Sequence, residues 1–373
     1  MTGRGEAPGE NWLAARPNVI AGVLVTLGVA ARLRAAKAPF LTPDEALHLQ
    51  IAGAGNALEV YRASLGNAHP PLFVLLLHFW KGAAVSDWTL RLLPVLFGSL
   101  FLYAVWAWAR RLFGDGAGLL TLALAALLPA IVLVSAELRG YALLLCMIAA
   151  ALAALERGLA EASPGWLAAF GALGALALLS HYAAFRFAAA AILYSGARLA
   201  AGPRSRRLAA AWAAATALIV AVALGLARTH LARLRGGALE AEARSTWLRE
   251  GYFDGGAQGP VAFLWRQTSS LFHYVFSSTV AGTVAFGLFV FAVAVLARRR
   301  QPAAMLLGLP LALAAAGGLL AVYPYGGTRH SIDLVPFLAA GVGLGLSRLT
   351  GERRWVVLAA AAALAPAAFL AAG

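Results

Sequence analysis

The chain has 373 residues, of which 61% are hydrophobic and only 12% are charged. A soluble domain carries about 25% charged residues, so this composition excludes an ordinary soluble protein and indicates a polytopic, all-α membrane protein. The net charge of +14 comes mostly from arginines in short clusters between apolar runs. No basic stripe with stacking aromatics occurs, which argues against a nucleic-acid-binding protein.

Apolar runs recur along the whole chain, and no long soluble-looking stretch separates them. We therefore predict a single membrane-embedded domain over residues 1–373 with about eleven transmembrane helices. These spans are predicted near residues 18–36, 90–109, 117–135, 141–156, 165–180, 183–199, 208–227, 274–297, 303–322, 332–348 and 355–372.

The segment 69–85 (HPPLFVLLLHFWKGAAV) is the ambiguous apolar run. If it does not cross and the N-terminus is cytoplasmic, the main arginine clusters all lie inside, as the positive-inside rule favours. Those clusters are Arg110-Arg111, Arg157, Arg204 to Arg207, Arg298 to Arg300 and Arg353-Arg354. We therefore predict that 69–85 is a juxtamembrane or re-entrant helix. The cluster Arg32, Arg34 and Lys37 runs against the rule.

This orientation sends most polar side chains to the outer side of the membrane. The outer segments are predicted at 37–89, with juxtamembrane helices, and at 136–140, 181–182, 228–273 and 323–331. The segment 228–273 mixes charges, aromatics and a pair of glycines. Such a composition suits either a mobile lid over a site or a passive linker.

Thr42-Pro43-Asp44-Glu45 has the residues of a helix start, with Thr42 as N-cap and Glu45 completing a capping box. The two acidic residues are therefore either site groups or parts of a cap, and the capping explanation is stronger for Glu45. Neighbouring helical residues point about 100° apart, so both carboxylates cannot aim at one atom in the same way. His48, one turn later, is a potential partner of Asp44.

His69-Pro70-Pro71 opens the 69–85 helix, because prolines begin a helix but do not continue one. A histidine at a helix N-terminus suits either an anion or a turn cap. Glu137 and Arg139 lie at the outer end of a span, where they form either a local ion pair or part of a site.

Two further outer turns carry polar side chains. His181 and Tyr182 fit an interfacial belt, and Arg186 either reaches outward to the interface or faces the same cavity. The last outer loop ends in Arg329 and His330 after two glycines, which is either a phosphate-binding loop or an ordinary tight turn.

No zinc-type spacing, HExxH, CxxC or phosphate-cradling glycine motif occurs in the sequence. We therefore predict no metal site and assign no cofactor. The sequence leaves open whether the protein needs a divalent metal.

The motifs follow one another in a known order: LTPDEALHLQIA, NAHPPLFVLLLHFW, RLLPVLFGSL, SAELRGYALLL, SHYAAF and TRHSIDLVPFLAAG. This order resembles the GT-C superfamily of membrane glycosyltransferases, in particular bacterial relatives of protein O-mannosyltransferases and of lipid A aminoarabinose transferases. The resemblance covers residues 18–190 and, more loosely, 323–345.

The resemblance implies a sugar donor carried on a polyprenyl phosphate and used on the outer face of the inner (plasma) membrane. It implies Asp44 as catalytic base with Glu45 as its support, and His69, Arg139 and Arg329 near the donor phosphate. Further substrate-binding positions are Glu137, His181, Tyr182 and His330. The acceptor, whether lipid, glycan or protein, is in doubt because this chain lacks the sizeable C-terminal soluble region of several relatives.

The chemistry of such a donor agrees with this set of residues. A polyprenyl phosphate leaves readily once cations neutralise it, so one base and one or more arginines suffice for in-line attack with inversion. The alternative is a transporter or flippase of lipid-linked sugars that binds the same head group and uses Asp44 for proton coupling. Transporters often have paired halves with broken helices, and no such internal symmetry is visible here.

Overall fold

The computed structural model describes residues 17–202, 205–256 and 258–350, which form helices and turns with no strand. The helices are α1 (Pro17–Ala35), α2 (Pro43–Ala52), α3 (Ala57–Ser64), α4 (Leu72–Trp80), α5 (Asp87–Phe113), α6 (Asp115–Leu127), α7 (Pro129–Val134), α8 (Tyr141–Ala160), α9 (Pro164–Ser180), α10 (Ala184–Ala201), α11 (Arg206–Leu226), α12 (Ala238–Ser245), α13 (Pro260–Val275), α14 (Thr279–Arg298), α15 (Ala303–Leu319) and α16 (Val335–Thr350). A π-helical turn, Ala227–Leu231, and a last turn, Ala232–Leu234, extend α11, and 3-10 turns cover Arg249–Gly251 and Arg329–Leu334.

Six helical segments of the described chain are long and apolar enough to cross a membrane: α1, α5, α8, α11 with its extension, α14 and Arg329–Thr350. Three shorter helices, α6, α9 and α15, are also apolar. The all-α membrane architecture is thus confirmed. The count of about eleven crossings stays a prediction, and the crossing near 355–372 lies outside the described residues.

The helix α4 occupies the ambiguous segment 69–85. Its nine residues extend about 14 Å at 1.5 Å per residue, less than half of the ~30 Å hydrocarbon core. The segment is therefore too short to cross, as predicted. Together with α2 and α3, which pack against it, α4 forms a group of three short helices that connects α1 to α5 along the chain.

The predicted span 117–135 is divided into α6 and α7, because Pro129 cannot continue α6. This break leaves carbonyl groups at the end of α6 without helical partners. Arg32 of α1 is fully buried, and its guanidinium donates to the carbonyls of Ala125 (3.0 Å) and Ala126 (3.2 Å). Arg32 therefore caps the end of α6 inside the protein and is not an exposed loop charge.

The predicted loop 228–273 and span 274–297 need a correction. The helix α11 continues to Leu234, and α13 fills residues 260–275, so the membrane helix α14 begins only at Thr279. The turn between α13 and α14 has a positive φ of 54° at Ser277, and the side chain of Ser278 accepts from the amide of Ala281. Serine at an N-cap marks this boundary, which hydropathy alone cannot detect.

The rest of the segment 228–273 lies against the last outer loop. Tyr325 donates its backbone N–H to the carbonyl of Gly251 at 2.9 Å, and Phe253 donates to that of Gly318 at 3.0 Å. Arg244 donates to the carbonyl of Ala321 at 2.9 Å. The segment therefore covers the loop before Arg329, where a lid would lie.

At the centre of the bundle, α16 packs against α6 and α14, and residues 335–346 are all buried. A Cβ at Gly343 would lie 2.9 Å from the hydroxyl of Thr121, and one at Gly345 would collide with the backbone of Leu288. Glycine is needed at both positions for this close approach. The tight packing also fixes the 3-10 turn Arg329–Leu334 that leads into α16.

Candidate active site

The carboxylate of Asp44 lies in the first turn of α2, which begins as predicted with a capping box between Thr42 and Glu45. One oxygen, Oδ2, accepts from Arg139 at 2.5 Å and from Arg329 at 2.5 Å. The side chain of Asp44 is 44% exposed, so it remains open to a ligand. Three segments that are far apart in sequence thus meet at one acid.

The two arginines change the acidity of Asp44. Burial raises the pKa of its carboxyl, but the guanidinium groups of Arg139 and Arg329 outweigh burial, and the pKa is lower than usual. Asp44 is therefore ionised at neutral pH and neutralised by its neighbours. His48, the predicted partner, donates instead to the backbone carbonyl of Asp44 at 2.7 Å.

Glu45 has a different environment, because its side chain is only 1% exposed. Its carboxylate accepts from Arg91 through Nε (2.8 Å) and through a terminal nitrogen (2.8 Å). The backbone amides of Leu138 and Thr42 also donate to it, each at 2.8 Å. Burial raises the pKa of Glu45, but these donors lower it to about 2. Glu45 therefore holds α2 and the 138–139 turn together and does not face the open site.

Arg91 was not identified from the sequence as a site-supporting residue. Besides Glu45, it donates to the carbonyls of Ala38 at 2.6 Å and Phe40 at 2.7 Å. The available signal was an arginine in the first turn of an apolar span, where a charge at membrane depth needs a partner.

Arg139 is held by His69 as well as by Asp44. Its guanidinium donates to Nε2 of His69 at 3.1 Å. A guanidinium has no acceptor, so Nε2 must be unprotonated and the imidazole of His69 neutral with its proton on Nδ1. Burial, and then the neighbouring His181, hold the pKa of His69 well below its usual value. In this arrangement His69 orients Arg139 and is not itself a cation.

A cluster of rings surrounds His69. The ring of His48 lies 5.2 Å from that of His69, and the ring of His181 lies 5.1 Å away on another side. His181 accepts the backbone N–H of Ala183 on Nδ1 at 3.1 Å, so the proton of the neutral ring is on Nε2, which has no partner. The hydroxyl of Tyr182 is also buried without a partner. For both of these buried polar atoms the folded protein supplies no hydrogen-bond partner.

The last outer loop is held by an ion pair that sequence reasoning did not assign. Arg186 of α10 donates to both oxygens of Asp333, at 3.1 and 2.5 Å, and to the carbonyl of His330 at 3.0 Å. Its guanidinium also lies 4.6 Å from the ring centre of Tyr323. The prediction that Arg186 either reaches the interface or faces the cavity is thus corrected, because this buried pair fixes the turn that carries Arg329.

Glu137 has no ion pair with Arg139, which was one of the two predicted arrangements. Arg139 is committed to Asp44 and His69, and Oε2 of Glu137 is buried without a hydrogen-bond partner. Burial raises the pKa of Glu137, although Arg139 and then Arg329 oppose the rise. Glu137 lines a crevice beside α7.

In the part of the chain that the structure describes, no three His, Cys, Asp or Glu side chains are grouped to hold a metal ion. Asp44, the open carboxylate, is already bound by two arginines. The expectation of no metal site stays a prediction, and the cations that contact Asp44 in this structure are the two arginines.

Comparison with known proteins agrees with the motif order. Residues 68–227, under half of the chain, match the family model of dolichyl-phosphate-mannose-protein mannosyltransferases. This stretch contains His69, Arg139 and His181, whereas Asp44 and Arg329 lie outside it. A search of curated proteins found no significant match.

Several solved structures share the fold. The oligosaccharyltransferase of Archaeoglobus fulgidus, solved with Zn and sulfate, matches with a TM-score of 0.59 at 17% identity over 94% of this chain and 51% of its own. ArnT from Cupriavidus metallidurans bound to undecaprenyl phosphate matches with a TM-score of 0.57 at 16% identity over 95% of this chain and 63% of its own. The A. fulgidus oligosaccharyltransferase AglB, in complex with an inhibitory peptide and a dolichol-phosphate, matches with a TM-score of 0.58 at 14% identity over 96% of this chain and 55% of its own.

The chain thus spans between half and two thirds of the length of these proteins. The resemblance to GT-C membrane glycosyltransferases predicted from the motifs is confirmed, and the fold is theirs.

Proposed function

We propose that the chain transfers a sugar from a polyprenyl-phosphate donor to an acceptor hydroxyl, with Asp44 as the general base. The observation that carries this proposal is one half-exposed carboxylate held between Arg139 and Arg329 at one end of a membrane bundle. Undecaprenyl phosphate in ArnT and dolichol-phosphate in AglB support a lipid phosphate as the donor's carrier.

The arginines are the groups that hold the donor phosphate. A guanidinium presents its donors in a planar fork that matches phosphate oxygens, and it stays charged at any working pH. His69 keeps Arg139 in place through the bond to Nε2. As the bond from the sugar to the phosphate breaks, the charge that develops on the leaving phosphate is stabilised by both cations.

Phosphate binding also prepares the base. In the structure both arginines donate to Oδ2 of Asp44, which keeps its pKa low and its basicity weak. A donor phosphate competes for the same guanidinium groups, and their withdrawal raises the pKa of Asp44 and frees the oxygen. Asp44 then accepts the proton of the acceptor hydroxyl.

The acceptor oxygen attacks the anomeric carbon from the side opposite the phosphate. One new bond forms between this oxygen and the sugar, the bond to the phosphate breaks, and the proton stays on Asp44. A single displacement with one base gives inversion, because no second carboxylate forms a glycosyl-enzyme intermediate. Glu45 supports Asp44 by fixing α2, and Glu137, His181, Tyr182 and His330 form the walls of the substrate site.

The site is proposed to face the extracytoplasmic side of the inner membrane. The helices α5 and α8 both begin beside the site and end in arginines, Arg110-Arg111 and Arg157, at their other ends. Positive charge concentrates on the cytoplasmic side of membrane proteins, so the opposite end of the bundle faces outward.

The direct test uses the purified protein in liposomes that contain a bacterial total-lipid extract as the source of acceptor hydroxyls, with undecaprenyl-phosphate-linked mannose, glucose and aminoarabinose as donors. We expect release of undecaprenyl phosphate with at least one donor, and about 10²–10⁴-fold slower release for Asp44→Asn, since that is what a positioned base contributes. A lipid-linked-sugar carrier would instead move the donor between leaflets without releasing undecaprenyl phosphate.

Asp115→Asn is the matched control. Asp115 is 45% exposed, as Asp44 is, and it pairs with Arg110 at the opposite end of the bundle. This variant should release undecaprenyl phosphate at the wild-type rate. Full activity in Asp44→Asn would refute the role of the base.

A further inference from the structure

A crevice of about 420 Å³ opens beside the candidate active site. One wall is the short helix α7, through residues 129–134, and the other is formed by His273, Tyr274 and Ser277 at the end of α13. This volume lies within the roughly 300–1,000 Å³ that small-molecule sites occupy. The crevice is therefore large enough for part of a substrate.

Glu137 is the acidic group of this crevice. Its neighbours in sequence connect it to the site, because Leu138 donates its backbone N–H to Glu45 and Arg139 binds Asp44. Although it is two residues from an arginine, its Oε2 has no hydrogen-bond partner. Because Glu137 also lines the crevice, a turn of its carboxylate towards the crevice would let a ligand there supply the missing partner.

The walls and the acid select the chemistry of that ligand. Leu133 is 56% exposed on a helix that continues the apolar span begun by α6, so the wall suits a hydrocarbon. A carboxylate disfavours a neighbouring phosphate, because like charges repel, but it binds a hydroxyl well. The donor phosphate therefore belongs between Arg139 and Arg329 and not in the crevice.

We infer that the crevice is the acceptor site, and that its occupant is a membrane amphiphile whose apolar part lies along α7 and whose hydroxyl donates to Glu137. This inference rests on the proposed glycosyl transfer and names the class of its acceptor. A soluble sugar gains nothing from the apolar wall. Glu137 thus presents the hydroxyl end of a lipid-like acceptor to the side of the site where Asp44 lies.

The test is photolabelling of the full chain in nanodiscs with decyl β-D-glucoside that carries a diazirine in its alkyl chain. We expect saturable labelling of peptides covering 129–134 or 273–277, displaced by unlabelled decyl glucoside but not by undecaprenyl phosphate or methyl glucoside. Displacement by undecaprenyl phosphate would mean that the crevice holds the donor chain, and equal displacement by methyl glucoside would mean a soluble acceptor. Either result overturns the inference.

Leu133→Trp fills the crevice and should abolish saturable labelling. Its matched control is Leu100→Trp, which changes a 48% exposed leucine of α5 outside the crevice and should label like wild type. Glu137→Gln adds no bulk, so it tests the site even if Leu133→Trp does not fold. It should raise the half-saturating probe concentration about tenfold, as loss of a charge-assisted hydrogen bond predicts. Wild-type labelling in both Leu133→Trp and Glu137→Gln would contradict the inference.

Photolabelling needs no turnover, so this test can be separated from that of the proposed function. The inactive variant Asp44→Asn should still be labelled at the crevice. If no donor releases undecaprenyl phosphate while labelling follows the pattern above, the transfer reaction is wrong and the amphiphile site stands. If release occurs while the crevice is never labelled, the acceptor site is wrong.

Discussion

Asp44 and Glu45 are neighbours in sequence whose carboxylates have opposite surroundings. Asp44 is 44% exposed and shares one oxygen with two arginines, whereas Glu45 is 1% exposed and accepts from Arg91 and from two backbone amides. The capping box explains the divergence, because the Glu45 side chain turns back over the helix start while Asp44 points elsewhere. One acidic pair thus provides both a reactive group and its anchor.

The anchoring role of Glu45 predicts a pH-dependent loss of stability on substitution. The folded pKa of about 2 lies below the usual 4.5, so Glu45 stabilises the protein above the usual value and loses this contribution as pH falls towards 2. Glu45→Gln leaves Arg91 buried without its counter-ion, which typically costs about 3–5 kcal/mol. Thermal unfolding in detergent should show a large drop in midpoint at pH 7 and a smaller one at pH 4.

Glu161→Gln is the control for this measurement. Glu161 is 40% exposed and pairs with Arg111 at the surface, an interaction of the kind worth about 0–1 kcal/mol. Its substitution should leave the midpoint nearly unchanged. A Glu45→Gln midpoint equal to that of wild type at pH 7 would mean that the Arg91 pair does not hold α2.

The 3-10 turn Arg329–Leu334 is held by contacts with Arg186 of α10. Asp333 is fully buried, and the side chain of its partner Arg186 is 9% exposed. Removing one member of such a pair leaves a charge without a partner, whereas replacing both by apolar groups can be nearly neutral. The pair therefore acts as a unit that fixes the approach of Arg329 to Asp44.

This predicts non-additive substitutions. Asp333→Leu and Arg186→Met should each lower the unfolding midpoint strongly, by the equivalent of about 3–5 kcal/mol. The double variant should lose less stability than the sum of the two single losses, by a coupling of about 0.5–3 kcal/mol. The affinity for undecaprenyl phosphate should be lower in the double variant than in the wild type, because Arg186 no longer holds the carbonyl of His330. Additive stability losses would show that the two residues do not act together.

The elements also show what the sequence could predict. The start of α2 depends on residues next to it in sequence, and the capping residues predicted it. The prediction that segment 69–85 does not cross agrees with the short helix α4. The pairing of Arg91 with Glu45, 46 residues away, and of Arg186 with Asp333, 147 residues away, depends on helix packing that hydropathy does not encode. That Asp44, Arg139 and Arg329 lie in one site was predicted only from the resemblance of the motif order to a known family.

For the molecule as a whole, orientation in the membrane decides which substrates the site can reach. Arginines end α5, α8 and α14 at the side away from Asp44. The cluster Arg32, Arg34 and Lys37 runs against the positive-inside rule. Arg32 does not count as a loop charge, because it is buried and donates to backbone carbonyls. Of that cluster, Arg34 and Lys37 remain at the site end, so the orientation is argued from the arginines that end these three helices and not from a complete count of basic residues.

Cysteine accessibility in intact cells tests this orientation. The only native cysteine, Cys146, is buried, so single cysteines can be introduced with little background. Val85 is 90% exposed near the site end, and Gln301 is exposed just after the arginines that end α14. A membrane-impermeant maleimide should label Val85→Cys in intact spheroplasts and Gln301→Cys only after permeabilisation. Because the two positions lie at opposite ends of the bundle, the reverse pattern would put Asp44 on the cytoplasmic side and exclude transfer on the outer face.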